Sequence, residues 1–284
     1  MPTFDTPGPI STTARVEAGS LQFTATDRTD TVVVVAPRNT KKDLDVRAAE
    51  QTEVSFANGV LTVRTPKPNL LGLSIGRVGT VDVTVELPTG SRVDMTGSWT
   101  QVLAEGRLGE VRVKTSSGDV RFDETGPLDL VSSHGSITVD RVTGRAELTT
   151  SSGSVRIGHV DGPVTVKNSH GTTTVGTVTG ELRVRNALGD IDVTRAEESV
   201  TAVTAHGTLR IAEVARGTVQ LETNHGAIEV GVREGTATWL DVDAGTGQVH
   251  NALASSEPPT GSEETVKVRA RTKFGNITVR RAKA

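Results

Sequence analysis

The stretch 150-TSSGSVRIGHVDGPVTVKNSHGTTTV-175 contains the same small design twice. Gly153 is followed two and four positions on by Val155 and Ile157, with Arg156 between them; Gly171 is followed by Thr173 and Val175, with Thr174 between them. Alternation of this kind marks a strand with one buried face. A second alternating pair, Val164 and Val166, lies seven and five residues before Gly171. Each copy therefore reads as two short strands meeting at a glycine corner.

The design extends in both directions. Gly118, Gly135, Gly153, Gly171, Gly189, Gly207 and Gly226 are spaced by 17, 18, 18, 18, 18 and 19 residues, and Gly247 and Gly275 continue the series after longer gaps. A second series at Gly109, Gly126, Gly144, Gly162 and Gly180 keeps the same period, passes through Ser199 and resumes at Gly217 and Gly235. The columns between the glycines hold their character. Val120, Ile137, Val155, Ile191, Leu209 and Ile228 share one position, and Arg121, Thr138, Arg156, Thr174, Asp192, Arg210 and Glu229 share the polar position after it. Constant columns at constant spacing imply translation, so coil stacks on coil and each side of the coil becomes a parallel sheet. The competing reading is an antiparallel meander, with "TSSGDV" as a hairpin turn. A meander does not require the same residue type at successive corners, and here it recurs. The expected fold is all-β: a parallel β-helix, or β-solenoid, of about 18 residues per coil.

Residues 10 to 95 do not keep the period but still read as β, in "LQFTAT", "TVVVVAP", "VSFANGVLTVRTP" and "VDVTVELPTG". The expected organisation is a non-repetitive N-terminal β cap or small β-sandwich over 1–95 and solenoid repeats over 96–284. "LASSEPPTGSEET" interrupts the last coil as an inserted loop near 251–265.

Composition narrows the function. Net charge is −3 with both signs mixed, and aromatic residues make up 2% of the chain. A nucleic-acid binder would show a basic stripe or stacking platforms. The absence of cysteine removes disulfides, thiol nucleophiles and zinc–thiolate sites. There is no signal-like leader and no long apolar run, so the expected location is cytoplasmic, with no membrane partner.

Two constellations carry possible chemistry. The position before each corner glycine holds Ser117, His134, Ser152, His170, Leu188, His206 and His225. Strands stack at ~4.8 Å, so His134, His170 and His206 fall about 10 Å apart on alternate coils, too far to share an ion. Only His206 and His225, on adjacent coils, are candidate metal ligands. The plainer reading is a turn column of small polar side chains that bond the corner backbone. The other constellation is Asp190 with Asp192, projecting together from one strand about 7 Å apart, with Arg156 and Arg210 in the same column on flanking coils. A glycan-active enzyme would use them as its two carboxylates. A structural reading makes the arginines their ion partners.

"VDVTVELPTGSRV", the repeats "LGEVRVKTSSGDVRF" and "TGRAELTTSSGSVRIGHVDGPVTVKNSHG", and the closing "RARTKFGNITVRR" together resemble a bacterial family of β-strand-repeat proteins of unknown function, DUF4097, grouped under an adhesin label. The likeness is to its actinobacterial type and spans nearly the whole chain. It implies a β-helix-like fold and brings no catalytic residues. The expectation is a non-enzymatic structural or protein-interaction solenoid without a cofactor or small-molecule ligand, whose partner is another protein or a second copy of itself. The alternative is the glycan-active enzyme using Asp190 and Asp192.

Overall fold

The computed structural model describes residues 1–66, 78–253 and 264–282. The expected loop near 251–265 falls mostly outside the described residues. Strands make up 69% of the chain and helix 3%, so the fold is nearly all-β and built as a parallel solenoid. The chain divides into two compact units, Met1–Val139 and Asp140–Ala284.

The second unit is built of two-strand rungs. Val155–Asp161 pairs in parallel with Thr173–Val178, which pairs with Ile191–Ala196, then Leu209–Val214, then Ile228–Val232. On the adjoining side Val164–His170 pairs with Leu182–Leu188, then Val200–His206, then Gly217–His225. Register follows the sequence period: Val164 faces Leu182, and Val166 faces Val184. Val155, Ile157, Val164 and Val166 are fully buried and Arg156 is exposed, while Thr165 is half-buried. Burying one such aliphatic side chain contributes about 1.5–3 kcal/mol, and the alternation supplies such residues on every rung.

The corners explain the glycine column. At Gly171 φ is +130°, a conformation that side chains rarely adopt. A Cβ there would lie 2.2 Å from the carbonyl oxygen of Gly153, one rung away. That inward carbonyl is not left bare, because Asn168 Nδ2 donates to Gly153 O at 3.1 Å. The device repeats from Asn186 to Gly171 O, Thr204 to Gly189 O, Thr223 to Gly207 O and Thr272 to Gly226 O. The position three before each of these glycines is a buried Asn or Thr, which supplies the corner carbonyl with a partner. At Thr115 and Ser132, nearer the start of the repeats, the hydroxyl instead donates to the carbonyl two residues on.

At the far end of this unit, rung order departs from chain order. Thr265–Phe274 pairs with Gly217–His225 on one side and with Ala237–Asp243 on the other. Ile277–Arg281 likewise lies between Ile228–Val232 and Val249–Asn251. The last stretch of chain is therefore intercalated, and the earlier residues 237–251 form the terminal rung.

The first unit has the same feature. Ser11–Thr26 pairs in parallel with Arg92–Arg107 along its length, Ser11 facing Arg92 and Ala25 facing Gly106. Its other edge pairs in parallel with Val60–Arg64 and Val81–Pro88. Residues 11–26 thus form a rung between segments that follow them in sequence. The expected boundary at 95/96 falls inside the strand Arg92–Arg107. Two antiparallel strands cover the outermost rung: Glu53–Ala57 on Val60–Arg64, and Asp30–Pro37 on Val81–Pro88. Asn58 (φ 51°) and Gly59 (φ 75°) make the hairpin between Glu53–Ala57 and Val60–Arg64, as an Asn-Gly pair favours. The helix Asp43–Glu50 packs nearby, and its buried Asp45 accepts from Thr80 N at 2.9 Å. Further rungs continue as Val111–Ser117 on Arg92–Arg107 and Leu128–His134 on Val111–Ser117.

Candidate functional site

All four residues singled out in the sequence lie on corners and outer faces of the second unit. Asp190 stands one residue before the strand Ile191–Ala196. Its Oδ1 accepts the backbone N–H of Thr208, one rung on, at 2.7 Å. Asp119 does the same for Ser136 N at 2.8 Å in the first unit, so this is a corner device. Asp192 is tied differently: Arg210 Nη1 donates to its Oδ1 at 3.3 Å, and Arg210 Nε donates to Glu229 Oε2 at 3.1 Å. The result is an Asp192–Arg210–Glu229 ladder on three consecutive rungs. Arg156 does not flank it; Arg156 faces Thr174, and Thr174 faces Asp192. The two carboxylates thus have separate partners in neighbouring rungs.

His206 and His225 face each other on adjacent rungs. Their rings stack at 4.7 Å between centroids with 3° between planes. Shared metal ligation needs two nitrogen lone pairs converging on one point about 2 Å from each. Parallel rings direct those lone pairs along parallel planes, so this arrangement does not converge on an ion. Phe274 continues the stack at 4.7 Å and 7° from His225. Sequence reading missed Phe274 as a neighbour of the histidines, although it also precedes a corner glycine. Only the intercalated rung brings it beside His225. Among the described residues no three His, Asp or Glu side chains gather as a metal site.

Two ionic clusters lie at or just beyond the C-terminal ends of one stack of strands, which includes Val155–Asp161, Ile191–Ala196, Leu209–Val214 and Ile228–Val232. Arg233 donates from Nη2 to both oxygens of Glu197 at 2.9 and 3.0 Å, and from Nε to Glu213 at 2.6 Å. Arg195 also donates to Glu197, at 2.6 Å. Hydrogen bonds from Arg233, and then from Arg195, hold the Glu197 carboxyl below its ordinary range, and the two carboxylates push the Arg233 guanidinium up. Asp161 bonds His159 Nε2 at 2.6 Å and also pairs with Arg141. The His159 bond is the larger cause holding the Asp161 carboxyl low.

The unit also holds an open cavity of about 850 Å³, which the sequence did not announce. Ala187, Val203 and Ala205 help form its wall together with Glu222, Arg271 and Lys273. In this corner column Ser116, Ser133, Ser151 and Ser169 give way to Ala187 and Ala205. Neither Asp190 nor Asp192 lines the cavity.

A family model described as Toastrack DUF4097 matches residues 13–280. No curated protein matches the chain. Two solved structures described as "putative adhesin" are similar to it. One, from Parabacteroides merdae ATCC 43184, is 14% identical, with 99% of this chain and 95% of that chain covered and a TM-score of 0.47. The other, from Parabacteroides distasonis ATCC 8503, is 14% identical over 99% and 95% of the two chains, with a TM-score of 0.40.

Proposed function

The chain belongs to the Toastrack DUF4097 family, and from that premise we propose that it is a non-enzymatic interaction module whose partner is another protein, a second copy of itself included. The observation that carries this reading is how the second unit uses its outward charges. Asp190 bonds a neighbouring corner, Asp192 and Glu229 share Arg210, and Glu197 and Glu213 share Arg233. Side chains committed to holding rung against rung make a stiff, charge-balanced surface. Asp190 and Asp192 are thereby committed to separate partners, which argues against their use as the acid–base pair that glycan hydrolysis requires.

Tag-free protein, used as bait in extracts of its native host and followed by light scattering alone and with each captured protein, tests the reading. The expected result is a stoichiometric complex, with itself or with a protein that rebinds when purified. Saturable glycan cleavage by the purified chain, abolished by Asp190→Asn, would overturn it in favour of the enzyme.

A further inference from the structure

The two units finish their outermost rungs differently. In the first unit the rung Val60–Arg64 and Val81–Pro88 is covered by antiparallel strands, and Leu61, Val63, Val83 and Val85 are fully buried. In the second unit the terminal rung strand Ala237–Asp243 pairs only with Thr265–Phe274 among the described residues. Its inward residues Leu240 and Val242 are half-exposed, whereas their register partners Val268 and Ala270 are fully buried. Trp239 is 52% exposed on the same strand.

Natural sheets protect such edges by keeping them short or by placing lysine or proline on them. Thr3–Asp5 and Val249–Asn251, at three residues each, follow that rule. "ATWLDVD" is seven residues long and contains neither lysine nor proline. Of its two carboxylates, Asp241 is paired from behind by Arg271 and Asp243 accepts from Gly245 N, while Lys267 sits 4.5 Å above the Trp239 ring.

We propose that Ala237–Asp243 is the docking edge for a second copy of this chain, paired antiparallel with its own equivalent about Leu240. The proposal rests on the protein-binding reading above and names its surface and partner. The strand is its own complement. Ala237 N donates inward to Glu264 O, so by alternation the backbone groups of Thr238, Leu240 and Val242 face the open side. In antiparallel pairing about Leu240, Leu240 meets Leu240 and Thr238 meets Val242. All of these are hydrogen-bonded positions, giving on the order of six backbone bonds. Trp239 then stands opposite Asp241 of the second copy, and no like charges face each other. The half-exposed Leu240 and Val242 gain cover of the kind that antiparallel strands give the outer rung of the first unit. The two-fold arrangement uses the same edge on both copies, so it closes at a dimer.

Sedimentation equilibrium of the full chain, from about 1 to 100 μM, tests this. The expected wild-type result is a reversible monomer–dimer equilibrium. Trp239→Asp places a carboxylate opposite Asp241 at both symmetry-related positions, on an exposed site. It should weaken the dimer by at least about tenfold. Thr238→Pro removes an N–H that faces the open side, a position where an edge strand tolerates proline, and should weaken it comparably. Far-UV circular dichroism checks that both variants keep the fold. Wild-type protein that stays monomeric to about 100 μM, or assembles beyond dimers, overturns the proposal. A dimer indifferent to both substitutions overturns the edge while leaving the interaction-module reading standing. That reading fails separately, if the chain neither self-associates nor forms a complex that can be rebuilt from purified partners.

Discussion

Replacing Gly171 with alanine tests the physical basis of the coil, because two penalties act there and each can be isolated elsewhere in the same chain. The first is backbone strain: φ at Gly171 is +130°, and holding an L-residue in such a region costs on the order of 1–3 kcal/mol. The second is collision. The new Cβ would lie 2.2 Å from Gly153 O and 2.8 Å from Gly153 C, so two rungs must separate by roughly 1 Å within a packed stack, at about 1–3 kcal/mol. The full effect should be about 2–6 kcal/mol, a large part of the ~5–15 kcal/mol that holds a typical domain together. Gly176→Ala isolates the collision, since its Cβ would meet Gly158 O at 2.0 Å with no left-handed φ to add strain. Gly59→Ala isolates strain, since φ is +75° but nothing lies within 4 Å, and it should cost about 1–2 kcal/mol. Urea unfolding followed by far-UV circular dichroism gives the three midpoints, compared at equal slope so that stability alone is read. The order expected is Gly171→Ala worst, Gly176→Ala next and Gly59→Ala mildest. If Gly171→Ala costs no more than Gly59→Ala, corner glycines are not there to let rung backbones approach, and the reasoning fails.

Acid should destabilise the protein through its depressed carboxylates. Glu197 is held low by Arg233 and Arg195, and Asp161 by His159 and Arg141. Their contribution is fully present above the ordinary unfolded carboxylate pKa of about 4–4.5 and is lost as pH falls through the lower folded values. Urea midpoints should therefore respond to these groups only below about pH 4.5, and Glu197→Gln should flatten that acid limb; an unchanged limb would count against the cluster. Asp190→Ala should cost about 1 kcal/mol, from the lost bond to Thr208 N, while Asp190→Asn, which keeps an acceptor oxygen, should cost less; equal losses would show that charge rather than the corner bond matters. Tag-free protein should carry no stoichiometric zinc or nickel by elemental analysis, and stoichiometric metal removed by the paired change His206→Ala and His225→Ala would overturn the reading of parallel, non-converging rings.

The sequence alone determined the repeating part of the fold. Inward and outward faces, corner glycines and 18-residue register are local, periodic properties, and a parallel solenoid is the arrangement in which identical columns can stack by translation. That reasoning placed Val155, Ile157, Val164 and Val166 in the core and read small polar side chains at the corners as bonded to turn backbone. It also set Arg210 in the column of Asp192. Tertiary structure decided whatever depends on pairing between segments that are not neighbours in the repeat. Ser11 facing Arg92, and Thr265–Phe274 entering between Gly217–His225 and Ala237–Asp243, arise from registers that no local period encodes. The consequences are tertiary too. Phe274 joins the histidine stack, Arg156 falls a rung short of Asp192, and the chain's earlier residues 237–243 are left, among the described residues, as an open edge. A rung added out of order displaces its predecessor to the end of the stack, and the period is the same whichever rung ends up outermost.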